Sequence, residues 1–469
     1  MNRLTEIARV RYLPPLAHFQ GLQAAVLLLI AGVCAWMLLV MAVSPWIALA
    51  ALAVLVTLAL MFLYPFWALF LLVIFFFMPV ELGNLTLAQA CGIVTIAVGF
   101  VSHIFRRRAL DGGPFFVPMI SFGGVLLFSL VYARLSEPVW QGCRRFFTHL
   151  LVYLLILALV DSAERLRHLF DAFLIVGVAN ALFGIYKAYS VNSIYERASG
   201  LVGNANQLGF LCAFAIPVAF HRYLNTSGLA RRGGYLSLCG IFVAGVIVSA
   251  SRGAAVSLLA GLLVMAYQTR RRLWVLSPII ALLFALIPLA PDVFFRRVSN
   301  LGEDVEHSIS LDPTTKLTSR GYLHQAGFKV WRDYPLLGVG TGNFGGYFSS
   351  SNYNPGWNRG LAIPQHNLYL HVLVENGLVG LTLFSWLLWR FARQLWFLLI
   401  SQARQASPEL RATAQGLVGS AAIFFVMGLS MDFLFTHELY ILIALSTLTY
   451  RYAKGELPSN QPAPQRFCS

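Results

Sequence analysis

The sequence is dominated by apolar runs that recur along almost its whole length. Runs of about 17–25 apolar residues can each cross a bilayer core of about 30 Å as an α-helix. Only 11% of the residues are charged and 58% are hydrophobic, whereas about a quarter of a soluble globular domain is charged. Transmembrane barrels show weaker, alternating segments of about ten residues. The pattern therefore predicts an all-α polytopic membrane protein.

The apolar runs predict about 12 transmembrane helices, within a range of about 12–14, because some short or adjoining runs could be broken or re-entrant. The candidate spans lie near residues 21–43, 45–64, 66–80, 85–105, 115–133, 146–160, 166–190, 207–224, 235–250, 252–268, 273–290, 366–390, 412–431 and 437–452. The first run follows arginines and lacks a small-residue cleavage site, which favours an uncleaved signal anchor. We expect four parts: N-terminal transmembrane helices, a large partly helical periplasmic loop, C-terminal transmembrane helices and a cytoplasmic tail. Their bounds are 1–290, 291–365, 366–453 and 454–469.

The net charge of +15 comes from short basic clusters between the apolar runs. This spacing is typical of cytoplasmic loops and not of a nucleic-acid-binding surface. The clusters all fall on one side when the predicted spans alternate, at 106–108, 165–167, 231–232, 270–272, 390–393 and 451–454. The other side then receives residues 81–84, 134–145, 190–206, 249–253, 291–365 and 432–438. We therefore expect both termini in the cytoplasm and these latter segments in the periplasm.

The six cysteines are scattered and form no CxxC pair or metal-ligand spacing. Most lie inside apolar runs, where cysteine behaves as a small hydrophobe. The sequence therefore gives no reason to expect a metal site or a cofactor.

A polar-to-apolar boundary at residues 363–380 places a histidine where a loop meets a helix. Pro364 favours an extended entry, and the apolar positions from Leu368 onwards predict a helix. His366 would then lie at the helix N-terminus, where an imidazole with an ordinary pKa of about 6.5 is a candidate general base. The alternative, a histidine that only caps the helix, stays open.

Two arginines are predicted on the same side of the membrane as His366. Arg252 interrupts an apolar stretch, where a guanidinium is costly unless it is paired or faces water. Its alternative is a side chain that snorkels to the interface. Arg197 precedes a turn rich in glycine and asparagine that could present N–H groups to an anion. Its alternative is an ordinary loop residue paired with Glu196.

The predicted periplasmic loop contains further candidates. Residues from Thr318 to about Asp333 predict an amphipathic helix that places Arg320 and His324 one turn apart. The glycines of residues 338–342 favour close backbone packing over phosphate binding, because no strand precedes them. Several aromatic residues would suit sugar stacking or an interfacial belt, namely Tyr347, Phe348, Tyr353 and Trp357.

An ordered set of motifs resembles the O-antigen ligase family, whose wider superfamily includes O-antigen polymerases and bacterial protein O-oligosaccharyltransferases. The motifs are Arg197 to Asn206, Ser251-Arg252-Gly253-Ala254, Ser319-Arg320 through Gly338-Val339-Gly340, and His366-Asn367 with Glu375, Gly377 and Gly380. They cover roughly residues 190–385. Asn204-Ala205-Asn206 stands where the family has Asn-Pro-Asn, which affects only a local turn.

The resemblance implies a GT-C-like glycosyltransferase of the bacterial inner membrane with a periplasmic active site. It would transfer a glycan from undecaprenyl diphosphate to lipid A–core. Direct attack on an axial donor would invert the anomeric centre, and the absence of an Asp-x-Asp motif predicts a metal-independent reaction. For such a reaction His366 is the candidate base, Arg197 and Arg252 are the candidate diphosphate ligands, and Arg320 is a third candidate cation. His324 and His371 are rival bases, but His371 should lie more than one turn deeper in the helix. Supporting positions are Asn204, Asn206, Asn367 and Glu375, the last more suited to packing than to nucleophilic attack.

Three other functions remain open on the sequence. A polymerase would use another lipid-linked repeat as acceptor, and a protein O-oligosaccharyltransferase would use a polypeptide. A membrane transporter or flippase belongs to a different class, but transporters place polar groups near the bilayer midplane and often contain internal repeats. Here the candidate residues gather at one predicted face.

Overall fold

A computed structural model describes residues 31–32, 56–82, 85–106, 111–190, 197–269, 273–299, 319–350, 352–353, 363–401 and 407–456. The helices are α1 (Val56–Leu63), α2 (Pro65–Phe76), α3 (Leu87–Arg106), α4 (Phe116–Phe128), α5 (Ser136–Leu159), α6 (Ala163–Ser190), α7 (Ala205–Asn225), α8 (Leu229–Ser249), α9 (Arg252–Gln268), α10 (Leu273–Leu286), α11 (Asp292–Ser299), α12 (Ser319–Asp333), α13 (Phe344–Phe348), α14 (Leu368–Ser401), α15 (Pro408–Met427) and α16 (His437–Ala453). Short 3₁₀ turns, Ser129–Val131 and Ile287–Leu289, follow α4 and α10. Strands β1 (Glu81–Leu82) and β2 (Leu85–Thr86) form an antiparallel pair with Glu81 opposite Thr86.

Six of the described helices are long and apolar enough to cross a membrane: α5, α6, α7, α8, α14 and α15. The pair α1 and α2, bent by 115°, would make a seventh. Shorter apolar helices occupy Leu87–Gly99, Phe116–Val131, Arg252–Gln268 and Leu276–Leu289. The chain is thus a multi-pass helical membrane protein, as predicted, but length and composition do not confirm about 12 spans among the described residues.

Helix α7 lies at the centre of the bundle, and 83% of its apolar stretch is buried inside the protein. It packs against α8, α9 and α15. Small residues allow these close approaches, as is usual between membrane helices. A Cβ at Gly416 of α15, for example, would lie 3.0 Å from the Val218 Cα of α7.

Hydropathy located most helices within a few residues but misplaced the start of α5. The apolar run predicts a span near 146–160 and a loop at 134–145, whereas the helix begins at Ser136. Glu137 and Pro138 occupy its first turn, positions that favour a helix start. Hydropathy marks the apolar part of a helix, and this helix extends about ten residues beyond it, so Arg144 and Arg145 are helical residues and not loop residues.

The polar segment before α14 is partly helical, as predicted. Helix α12 has the bounds expected from its amphipathic pattern, and it packs with α13 against the first turns of α14. The apolar side chains of this contact are Leu323, Ala326, Val330, Val339, Phe344, Phe348, Leu370 and Val374. Residues 300–318 and 354–362, together with the tail beyond Glu456, lie outside the described residues.

Helix α14 is broken at Gly377, whose φ of 63° and ψ of −162° are not helical. The preceding glycine-rich segment fills the gap, because Gly340 N donates to the Glu375 carbonyl at 2.8 Å and Leu378 N donates to the Pro335 carbonyl at 2.9 Å. A Cβ at Gly338 would lie 2.5 Å from the Glu375 carbonyl carbon. The close backbone packing predicted for these glycines is confirmed.

Candidate active site

The polar ends of several helices lie together at one end of the bundle. The turn after α15 meets the start of α14 there, since Leu368 N donates to the Gly428 carbonyl at 2.8 Å. The same turn meets the start of α9, where a Cβ at Gly253 would lie 2.3 Å from Ser430 Oγ. Gln207 of α7 donates to Glu438 of α16 at 2.9 Å. The starts of α7, α9, α14 and α16 therefore lie at the same end of the bundle.

Arg197 is held by the helix ends around it. Its Nε donates to the Ser249 carbonyl at 3.0 Å and its Nη2 donates to Asn206 Oδ1 at 2.7 Å. The same Asn206 oxygen accepts from Ser251 Oγ at 2.9 Å. Asn204 caps α7, because its side chain accepts from the backbone N–H groups of Asn206 and Gln207. These bonds fix the guanidinium between the α7 N-terminus and the turn from α8 to α9.

The loop that carries Arg197 is also bound by side chains of α6. The fully buried Asn180 of α6 accepts from Val202 N at 2.9 Å and donates to the Phe77 carbonyl at 3.2 Å. Lys187, near the end of α6, donates to Ser199 at 3.4 Å. Lys187 lies in the last turn of a predicted span, so the sequence indicated a cation close to this loop, but no role was predicted for it.

Arg252 is the first residue of α9 and is half-buried. Ser251 caps this helix, since its hydroxyl accepts from Ala254 N at 3.4 Å. The turn before it contains Ala250 with a φ of 44°, the only described residue other than glycine with a positive φ. Such a conformation is costly for alanine. The tight turn points the Ser249 carbonyl at Arg197 while placing Arg252 directly at the helix N-terminus.

His366 lies just before α14 and is exposed. Asn367 caps the helix by accepting from Tyr369 N and Leu370 N at 3.0 and 3.1 Å. The buried Gln365 donates to the Leu323 carbonyl at 2.7 Å. This bond brings His366 beside the start of α12, which carries Arg320 and His324. The prediction that His366 sits at a loop-to-helix boundary is confirmed, and capping is done by its neighbour Asn367.

The surroundings of His366 lower its pKa. Partial desolvation of the ring is the largest cause, the positive charge of Arg320 adds to it, and Asp432 opposes both. The pKa of His324 is lowered too, by desolvation and then by Arg320 and His366. A lowered pKa keeps an imidazole neutral, and therefore able to accept a proton, at neutral pH.

His371, the rival base, lies one turn deeper and is only 4% exposed. Its Nδ1 is 2.7 Å from Asp432 Oδ2 and its Nε2 is 2.7 Å from Glu375 Oε2. Asp432 also accepts from Leu434 N at 2.9 Å. Both ring nitrogens thus face carboxylates within the protein. The sequence predicted the depth of His371 but missed Asp432, a carboxylate in a short predicted periplasmic loop.

Glu375 anchors the glycine-rich turn. Its carboxylate accepts from Gly342 N at 2.6 Å and from Phe344 N at 3.2 Å, in addition to facing His371. Next to it, Asn376 accepts from the Thr341 hydroxyl at 3.1 Å. The carboxylate is buried and bound by backbone donors, which agrees with the packing role expected for Glu375.

Three of the tyrosines in the polar segment lie together. Tyr334 and Tyr347 have ring centroids 5.5 Å apart, and Tyr347 and Tyr353 have centroids 5.8 Å apart. Tyr334 and Tyr347 line a cavity of about 360 Å³. Tyr353 donates to Asp333 at 2.8 Å. Trp357 lies outside the described residues. The cluster has the surface for sugar stacking, and the alternative of an interfacial belt stays open.

The candidate residues form two groups joined by the turn after α15. Arg197, Asn204, Asn206 and Arg252 make the first group, and Arg320, His366, Asn367 and Glu375 make the second. Within the described residues, no three or more histidine, cysteine, aspartate or glutamate side chains are arranged as a metal site.

Residues 237–385 match the family model described as O-antigen ligase. This match supports membership of the O-antigen ligase family. The family match includes Arg252, Arg320, His366 and Glu375 and covers less than half of the chain, so Arg197 and Asp432 lie outside it. No curated protein matches the chain. A family match of this kind supports a glycosyltransferase-like activity with polysaccharide and lipid A–core as partners in general.

Proposed function

We propose that this protein is an O-antigen ligase that transfers O-antigen polysaccharide from undecaprenyl diphosphate to lipid A–core. It acts with inversion at the periplasmic face of the bacterial inner membrane, and both termini are cytoplasmic. The observation that carries the proposal is the exposed His366 with a lowered pKa at the bundle end that also holds three candidate arginines. A neutral base beside fixed cations is what glycosyl transfer from a diphosphate requires.

The arginines serve the donor. A glycosyl diphosphate leaves as a diphosphate anion, so negative charge grows on its oxygens as the glycosidic bond breaks. Guanidinium groups can bind two such oxygens at once, and fixed charges aimed at a developing anion stabilise the transition state. Arg197 is already oriented by Ser249 and Asn206, and Arg252 lies at a helix N-terminus, which itself favours anions.

His366 serves the acceptor. A sugar hydroxyl is a weak nucleophile until its proton is removed, and general base catalysis typically contributes about 10²–10⁴ in rate. The hydroxyl attacks the anomeric carbon, its proton passes to His366, and the diphosphate leaves on the opposite side. A single displacement of this kind inverts the anomeric centre. Asp432, whose charge acts on the ring, stabilises the imidazolium that forms.

The proposal includes a GT-C-like arrangement of about 12 transmembrane helices and a reaction without a metal ion. The shorter apolar helices of the described residues support the larger number of spans, because the bilayer can thin locally around an apolar stretch that is shorter than its core. The absence of an Asp-x-Asp motif from the sequence supports the metal-free reaction.

The decisive experiment is transfer in vitro by the purified protein. Undecaprenyl-diphosphate-linked glycan and lipid A–core are the substrates, and the anomeric configuration of the product is measured. We expect an inverted linkage to lipid A–core and full activity in EDTA. Arg252→Lys keeps the charge but loses the planar fork, so we expect reduced transfer, whereas Arg231→Lys at the other end of the bundle should behave as wild type. Activity lost in EDTA and restored by a divalent cation would contradict the metal-free step.

A deletion strain separates the ligase from a polymerase. Loss of a ligase leaves bare lipid A–core, whereas loss of a polymerase leaves core carrying one repeat unit. Transfer to another lipid-linked repeat, or to a protein, would move the chain to one of the other activities of its superfamily.

A further inference from the structure

The end of the bundle away from His366 contains a lateral groove of about 720 Å³. It lies where the start of α4, the second half of α14 and the last turns of α16 meet. Its walls include Trp389, Arg390, Arg393, Trp396, Phe397 and Tyr450. At 1.5 Å per helical residue, Arg390 is roughly 30 Å along α14 from His371. The groove therefore lies near the opposite surface of the membrane.

The polar part of the groove is positive. Arg390 and Arg393 both line it, and no carboxylate does so among the described residues. The Arg393 guanidinium lies over the Trp389 ring, 5.1 Å from its centroid. This cation–π contact favours that position of the side chain in the groove. Asp111, on the segment that leads into α4, is bound to Arg451. Among the residues that the structure describes, the groove thus has two cations and no internal anion to neutralise them.

The rest of the groove is apolar and open to the side. Trp396 is 59% exposed and Ile400 is 61% exposed, and Phe397 packs edge-on against Tyr450 with centroids 4.8 Å apart. Gln394 lies between these walls, where it donates to the Ser446 carbonyl of α16 at 3.2 Å. A ligand that fits must combine an anionic head with long apolar chains lying along α14.

We propose that this groove binds one anionic glycerophospholipid. Its phosphate lies between Arg390 and Arg393 in charge-assisted hydrogen bonds, and its acyl chains run along Trp396, Phe397 and Ile400. Basic pockets between transmembrane helices are suited to such head groups. The bound lipid joins α4, α14 and α16, and so steadies the helix whose other end carries the candidate base. This proposal does not depend on the reaction that the protein catalyses.

A second arginine pair in the same chain provides a matched control. Arg231 and Arg232 are exposed at the start of α8, and Arg232 lies 4.8 Å over the Tyr223 ring. These residues share the chemistry of the groove pair, including an aromatic contact, but they do not line the groove. Lipid held only by general attraction to basic residues would be lost equally from both pairs.

The test is native mass spectrometry of the full-length protein purified in mild detergent. We expect phosphatidylglycerol or cardiolipin to remain bound to wild type and to the R231A/R232A variant. Retention should fall about fivefold or more in R390A/R393A, since each cation near the phosphate contributes to binding. The R390K/R393K variant, which keeps the charge, should retain lipid at an intermediate level. Phosphatidylcholine vesicles should not replace the bound lipid.

A photoreactive phosphatidylglycerol tests wild-type protein directly and does not depend on whether a variant folds. We expect crosslinks within residues 389–400 that excess phosphatidylglycerol removes and phosphatidylcholine does not. Equal lipid retention in R390A/R393A and R231A/R232A would overturn the proposal. So would crosslinks spread evenly over the helices, or a groove found filled by another segment of the chain.

Discussion

Two histidines five positions apart lie in opposite surroundings. His366 is exposed before the first residue of α14, and its pKa is lowered mainly by desolvation. His371 is one turn inside the helix, 4% exposed, with a carboxylate 2.7 Å from each ring nitrogen. The N-cap residue Asn367 separates them. The position of each histidine relative to the start of α14, and not the residue type, decides its role. His366, before the helix, can meet a substrate, whereas His371, inside the helix, contacts two carboxylates of the protein.

The two histidines also illustrate two different effects of a substitution, one on the rate of transfer and one on stability. Replacing a residue that contacts substrate should remove rate and leave the fold intact. Replacing a residue that holds buried carboxylates should lower stability first. Rates and melting temperatures measured on the same variants therefore test this distinction.

The largest effect is expected for His366→Ala. Loss of the base should lower transfer to lipid A–core by about 10²–10⁴-fold, while the exposed side chain leaves the melting temperature close to wild type. Transfer rates and thermal unfolding in detergent measure the two quantities. His324→Ala is the control, because His324 is on the neighbouring helix α12 and shares the electrostatic surroundings. Full transfer by a well-folded His366→Ala protein would remove the proposed base.

His371→Gln should act mainly on stability. The substitution leaves Glu375 and Asp432 buried or partly buried without the imidazole between them, and breaking such buried pairs costs about 3–5 kcal/mol. We expect a clearly lower melting temperature and a smaller yield, with transfer per folded molecule reduced less than in His366→Ala. A normal melting temperature combined with a loss of rate as large as that of His366→Ala would reverse the two roles.

A somewhat smaller loss of stability is expected for Gly377→Ala. This glycine has a φ of 63°, and a Cβ would lie 2.2 Å from the Leu336 carbonyl oxygen. Strain of this kind costs about 1–3 kcal/mol before the clash is counted. Gly124→Ala in α4 is the control, since nothing lies within 4 Å of its Cβ position, and alanine favours a helix over glycine. Equal melting temperatures would show that the break in α14 is not needed.

Periodicity and charge predicted much of this arrangement. The apolar runs located α6, α7, α9 and α16 closely, and the amphipathic pattern located α12. The basic clusters placed Arg197, Arg252 and His366 on one face without any knowledge of contacts. These features depend on local sequence and on the bilayer, which impose the same rules on any helical membrane protein.

Contacts between distant parts of the chain were not predictable in the same way. Nothing local relates Asp432 to His371, which are joined only because the turn after α15 folds over the start of α14. The break at Gly377 was not predicted either, because the largely apolar sequence on both sides of it suits a continuous helix. Its hydrogen bonds are completed by residues 335–340, and glycines alone do not reveal which backbone they approach.

The smallest and most specific effect concerns the pH dependence of transfer. The base must be neutral to act, so the rate should fall as the pH drops through the pKa of His366. Arg320 lowers that pKa and Asp432 raises it. Arg320→Gln should therefore move the acidic limb of kcat/KM to higher pH, and Asp432→Asn should move it to lower pH.

The position of the limb is compared and not its height, because Arg320 is also a proposed diphosphate ligand and Asp432 also contacts His371. The assay temperature must be low enough to keep Asp432→Asn folded. Three coincident limbs would mean that the titrating group is not the imidazole at position 366, whereas opposite shifts from one residue of α12 and one residue of the turn after α15 would assign it there.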